Sequence, residues 1–176
     1  MAPRSARIPA AQRVENPAAR LLPIATTLLA MVVSLQPAHI PGYAALTPAF
    51  TLMAVYHWTI YRPDLLSLFA LFVIGITQDL LTGAPLGATA LVLLLARAVV
   101  LRQRRHFVNR PFPFVWTGFT MLTVGAMLFW WTLHCLLDRV LVDFHGTVFR
   151  AALTISVFPI ASFLLGRTQR TLMGAG

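Results

Sequence analysis

The chain has almost nothing with which to do covalent or metal chemistry. Its 176 residues include a single cysteine, Cys135, so neither an internal disulfide nor a cysteine-built zinc or iron–sulfur site can form from this chain alone. Lysine is absent and only 5 residues are acidic. No G-x-S-x-G elbow, H-E-x-x-H pair or glycine-rich phosphate loop occurs, and no second acid lies within an apolar run to make an aspartyl dyad. His57, His134 and Cys135 stand singly on apolar stretches, short of the three or four converging ligands a metal needs. The expectation is a protein that is not an enzyme and carries no cofactor or metal.

Charge is scarce too. Charged residues make up 11 % of the chain, where a soluble globule needs roughly a quarter, while 58 % is hydrophobic and the mean hydropathy is +0.76. The solvent for such a chain is a bilayer. A formal charge of +9 would suggest nucleic acid in a soluble protein, but here the arginines lie between and beside apolar runs, which is a topology signal. No nucleic-acid partner is expected. Genomic base composition explains the use of Arg without Lys as readily as bidentate phosphate recognition does.

A hydrocarbon core takes about 20 helical residues to cross, and six apolar runs approach that length: 21–37, 46–61, 65–82, 86–101, 113–137 and 147–166. Strands of a closed barrel would be about half as long and alternate in polarity, which these do not. The predicted fold class is an all-α integral membrane protein, a bundle of about six transmembrane helices, with five as the alternative count. Residues 1–20, rich in Arg and Pro and without an apolar run, read as a disordered basic cytoplasmic tail; 171–176 read as a disordered C-terminal tail.

Arginines sort onto alternate sides if six is the count. The N-terminal tail holds Arg4, Arg7, Arg13 and Arg20; the second connection has Arg62; the fourth has Arg102, Arg104, Arg105 and Arg110; Arg167 and Arg170 follow the last run. The first and third connections are uncharged, and the fifth sets Arg139 against Asp138 and Asp143. Positive residues mark the cytoplasmic side, so both termini are predicted there. Trp116 and the Trp130/Trp131 pair lie about 21–22 Å apart along a helix, close to an interface-to-interface span. Tyr56, Trp58 and Tyr61 read as an interfacial cluster at the cytoplasmic end of the second run.

Asp79 is the only acid inside a predicted span, and an ionisable group at membrane depth is a functional candidate. It falls about 22 Å along the axis from Asp64, near the periplasmic end. Two roles are open: capping the Thr82–Gly87 turn and the exposed amides that start the next helix, or proton relay and substrate binding. Gly75, Asp79 and Gly83 recur at four-residue steps, so a close helix seam with a polar latch is expected. Gly83 and Gly87 suit positive φ in the turn, and Pro85 suits a first helical turn. Arg150 is at a depth to pair with Asp79, with Asp143 as competitor. Arg97 lies too deep for that pair and is expected to reach headgroups or Asp64. The juxtamembrane Arg102, Arg104 and Arg105 would attract anionic membrane lipids.

The order Tyr56, Trp58, Arg62-Pro63, an apolar helix, Gly75-x-x-x-Asp79-Leu80-Leu81-x-Gly83-x-Pro85-Leu86-Gly87, a second apolar helix and Arg102-x-Arg104-Arg105 resembles the bacterial rod shape-determining protein MreD family, most strongly from Tyr56 to Arg105. The resemblance implies a non-enzymatic inner-membrane subunit of the elongation machinery, a scaffold for lateral peptidoglycan synthesis that maintains cell shape. Its implied partners are MreC, and through it or directly MreB, RodA and a class B penicillin-binding transpeptidase. The family is also similar in architecture to the substrate-binding subunits of energy-coupling factor transporters. That supplies the rival expectation of a small-molecule-binding or transport subunit, with Thr77, Gln78 and Asp79 near His134 and Arg150 in a shallow periplasmic pocket.

Overall fold

A computed structural model of the chain describes residues 17–35, 47–107, 111–138 and 144–173. Among the described residues the structure is all-helical, with six α-helices: α1 Pro17–Ser34, α2 Phe50–Tyr61, α3 Leu68–Thr82, α4 Ala88–Phe107, α5 Phe112–Asp138 and α6 Phe144–Met173. A 3-10 turn, Pro63–Leu65, joins α2 to α3. Each helix falls on one of the six apolar runs. α1 starts ahead of its run at Pro17 and α6 continues to Met173, into segments expected as tails; residues 1–16 and 174–176 lie outside the described residues.

The outer surface is apolar. Phe69, Leu80, Leu86, Met121, Leu136, Ile160 and Phe163 are each more than half exposed, whereas Gln78, Asp79, Thr123 and Thr154 are buried. This inverts the soluble pattern and suits lipid. α5 and α6 contain stretches, Phe112–Leu133 and Phe144–Thr168, long and apolar enough to cross a membrane; the apolar parts of α1 and α3, Leu21–Ser34 and Leu68–Thr82, are shorter.

α2 occupies the centre. Every residue from Thr51 to Ile60 is buried, and the helix packs against α1, α4 and α6. It is apolar on all sides and has no face to give to water, so enclosure by neighbours is the arrangement its composition demands. Tyr56 and Trp58, expected at an interface, are core residues at 1 % and 0 % exposure, and only Tyr61 of that cluster is exposed. The reason is hydrogen bonding. The Tyr56 hydroxyl donates to the Val115 carbonyl at 2.8 Å and the Trp58 indole donates to Thr26 Oγ1 at 2.9 Å, so each polar tip is satisfied inside the bundle. The Tyr56 ring meets Phe119 and Phe158 edge-on, at 5.1 and 5.6 Å between centroids, and Phe119 stacks on Phe158 at 3.9 Å. One residue of α2 thus ties α5 to α6.

α6 contains Pro159, which has no N–H to give the Ile155 carbonyl one turn earlier. The indole of Trp116 donates to that carbonyl at 3.2 Å, so α5 supplies the bond that α6 cannot make. Along the facing sides of α3 and α4, the most extensively packed pair, a Cβ on Gly75 would lie 2.6 Å from the Ala90 nitrogen. The two backbones touch there because α3 carries no side chain at the crossing.

Two stability measurements follow. Gly75→Ala should cost about 1–3 kcal/mol through overpacking and lower the thermal midpoint of the purified protein, while Gly166→Ala, with open space around it, should leave it unchanged. Trp116→Phe should destabilise by roughly 1 kcal/mol by stranding the Ile155 carbonyl. Most of that loss should vanish in a Pro159→Ala background, where the helix bonds the carbonyl itself; equal losses in both backgrounds would refute the assignment.

Candidate functional site

Asp79 closes the α3–α4 hairpin with both its backbone and its side chain. Gly83, at φ 69°, turns the chain out of α3 and donates its N–H to the Asp79 carbonyl, and Ala84 N–H donates to the same oxygen at 3.1 Å. The chain then turns through Pro85 to Gly87, at φ 90°, whose carbonyl accepts the first α4 bond from Leu91 at 2.8 Å. Positive φ at both positions is the backbone state that glycine tolerates without strain. Gly87 stands where α4 needs a capping side chain and has none. The Asp79 carboxylate takes that place, accepting the Gly87 N–H at 2.9 Å and the Thr89 N–H at 3.1 and 3.2 Å.

Asp79 is 0 % exposed. Its charge is balanced by the positive end of α4 and by two amides that have no partner within their own helix. Of the two roles open from the sequence, capping is the one the geometry displays. Gly75, one turn below, forms the seam with Ala90; Gly83 has left that face to end the helix. Pro85 lies in the turn before α4, its carbonyl accepting Ala88 N–H at 3.0 Å, and is not in the first helical turn as expected. The helix begins two residues later than the run suggested because Gly87 reverses the backbone.

The expected Asp79–Arg150 ion pair is not formed. Both carboxylate oxygens face the α4 amides, and the Arg150 guanidinium lies over the Trp130 ring at 5.8 Å. Arg150 instead serves through its backbone: its carbonyl accepts the Thr154 hydroxyl at 2.7 Å, and that hydroxyl accepts the Ala49 N–H at 3.1 Å. Thr154 thereby caps α2 from α6, as Asp79 caps α4 from α3. Asp143 and the side chain of His134 lie outside the described residues.

At the other end of the bundle, arginines close helix C-termini. The Arg62 backbone N–H donates to the Trp58 carbonyl at 2.7 Å, ending α2, and Pro63, buried, opens the 3-10 turn. Arg104 Nε donates to the Ile60 carbonyl at 2.7 Å. Arg97, seven residues earlier and so on the same face of α4, donates to the Pro63 carbonyl at 3.3 and 3.4 Å and to that of Leu66. The cluster Arg102, Arg104 and Arg105 therefore divides: Arg102 is exposed, Arg104 turns inward, and the Arg105 side chain lies outside the described residues. Thr154, Arg97 and Arg104 were not legible as cross-helix caps. Their only sequence signal is the seven-residue spacing of the two arginines.

Removing the cap should be measurable. Asp79→Ala should destabilise by about 1–3 kcal/mol, the cost of two stranded amides, and Asp79→Asn by less, since one carbonyl oxygen remains to accept. The exchange Asp79→Arg/Arg150→Asp should do no better in thermal melts than either single change; rescue by the double variant would show that the two charges do meet.

The profile of the rod shape-determining protein MreD family matches residues 18–168. The rod shape-determining protein MreD of Haemophilus influenzae is 31 % identical over 76 residues, which is 43 % of this chain and 46 % of that protein, so the alignment spans about half of the relative's length. No solved structure matches the chain. The profile runs from the first turn of α1 almost to the end of α6 and takes in the Asp79 hairpin, and the chain belongs to the MreD family of rod shape-determining membrane proteins.

Proposed function

We propose that this chain is a non-enzymatic, multi-pass subunit of the bacterial inner membrane that scaffolds or regulates the elongation machinery, and so the lateral peptidoglycan synthesis that sets cell shape. The observation that carries the reading is the family match across residues 18–168. The partners it implies are MreC, and through it or directly MreB, RodA and a class B penicillin-binding transpeptidase, with membrane lipids around the bundle. In this reading all six helices cross the membrane and both termini are cytoplasmic. The alternation of arginines supports that orientation, as does the segregation of Arg62, Arg97 and Arg104 to the end opposite the Asp79 turn.

The geometry suits a subunit that holds other membrane proteins. Asp79, Arg97 and Arg104 are engaged in closing its own helices, while its outer face is apolar and grooved. One groove, of about 540 Å³ between α4 and α5, is lined by Val99, Gly118, Met121, Gly125 and Phe129 among others. Small residues at such a surface let a neighbouring helix approach closely.

Affinity purification of the tagged protein from native membranes, with mass spectrometry of what accompanies it, tests the function. MreC and wall synthases should be recovered with the wild type and reduced with Asp79→Asn. Recovery of an ATP-driven transporter module without wall enzymes would replace this reading with the transport one. Orientation is tested in a Cys135→Ser background: Leu86→Cys should react with an impermeant thiol reagent from outside the cytoplasmic membrane, and Arg102→Cys should not.

A further inference from the structure

A small cavity of about 50 Å³ lies beside the Asp79 cap, with walls from α2, α3, α4, α5 and α6 that include Thr51, Gln78, Thr89, Met127, Trp130 and Arg150. It differs from the apolar grooves in the polar atoms it gathers. Gln78, next to Asp79 on α3, is only 7 % exposed, and its Oε1, an acceptor, is buried with no hydrogen-bond partner. Arg150 Nε, a donor on α6, is buried in the same condition. The buried Thr51 hydroxyl meets the Ser34 hydroxyl at 3.5 Å, the far limit of a hydrogen bond.

A buried donor or acceptor left without a partner keeps the full cost of its lost hydration. Here an acceptor and a donor line one space and are not bonded to each other. What completes them is a group that donates to the first and accepts from the second. An oxyanion would answer the arginine but set oxygen against the Gln78 oxygen, and an apolar group would answer neither. Water does both. Buried waters make about three hydrogen bonds, to polar groups that are otherwise unsatisfied, and need roughly 10–15 Å³ each. At about 50 Å³ the cavity has room for on the order of three.

We propose that this cavity is a water-binding site, in which bound water donates to Gln78 Oε1 and accepts from Arg150 Nε–H. The Thr51 and Thr89 hydroxyls, on the same walls, are its further partners. The water joins the Asp79 hairpin to α2 and α6 by hydrogen bonds that reach across the cavity, at the end of the bundle where α2 and α4 begin. The site does not depend on the assembly reading.

The test is pulsed X-ray radiolysis of the full-length protein, purified in nonionic detergent, with mass spectrometry of the oxidised side chains against dose. Radiolysis splits water into hydroxyl radicals, and a radical formed from bound water oxidises the side chain beside it even when that side chain is buried. Met127, 7 % exposed, lines the cavity; Met31, 5 % exposed on α1, does not. Met127 should therefore be oxidised faster than Met31, although the two are equally hidden from bulk solvent. In Gln78→Leu/Thr89→Val, which removes two of the water's partners, the excess at Met127 should be lost; Gln78→Leu alone, with a reduced excess, serves if the double variant fails to fold. Equal rates at Met127 and Met31 in the wild type, or an undiminished excess in a folded variant, would overturn the proposal.

Discussion

The bond between the Asp79 carboxylate and the amides that begin α4 is the constraint on which the rest of the bundle depends. In water, a helix that starts without a capping side chain loses about 1 kcal/mol and borrows solvent instead. In hydrocarbon there is no solvent to borrow, and each open backbone group costs several kcal/mol. α4 starts at a glycine, so its cap has to come from another element. Only a side chain on the last turn of α3 is close enough, and only an anion answers both the hydrogen bonds and the dipole. Fixing that carboxylate fixes the hairpin, and fixing the hairpin brings Gly75 against Ala90.

The same demand recurs wherever a helix ends or breaks. Thr154 of α6 caps α2, Arg104 and Arg97 of α4 receive the last carbonyls of α2 and its 3-10 turn, and Trp116 of α5 fills the gap left by Pro159 in α6. Each repair is made by a different helix. Secondary structure here is therefore completed by tertiary structure: no helix in this set has all its backbone groups satisfied until its neighbours are in place. Lipid offers helices no hydrophobic reason to associate, and these cross-helix bonds, with close backbone contact, supply the specificity that apolar burial supplies in water. They also account for the shortness of α2. Its 12 residues reach only about 18 Å, too little to span a bilayer unaided, but a helix enclosed by protein along its length has no need to match the lipid.

How much of this was legible follows from which residues have only one role open to them. An acid within an apolar run has few, and two glycines flanking a proline have few, so spacing alone narrowed Asp79 to a turn cap or to proton relay and substrate binding, and suited Gly83 and Gly87 to the turn. The six helices were legible because hydropathy and charge alternation are constraints on whole segments. Tyr56 and Trp58 have two compatible fates, since an aromatic ring with one polar tip satisfies an interface or an internal carbonyl equally well. The choice depends on whether Thr26 and the Val115 carbonyl are within reach, which is tertiary information. Arg104 is the same case: beside Arg102 it reads as a solvated cluster, and only the position of Ile60 shows that it is a helix cap. Arg150 was matched to Asp79 on depth, but a carboxylate that already accepts from two amides has little left to offer a guanidinium.

The two ends of the bundle consequently differ in kind. At the end with helix C-termini, arginines meet carbonyls and the signs agree. At the end with the N-termini of α2 and α4, one carboxylate serves one helix, a neutral hydroxyl serves the other, and a further positive charge, Arg150, is added.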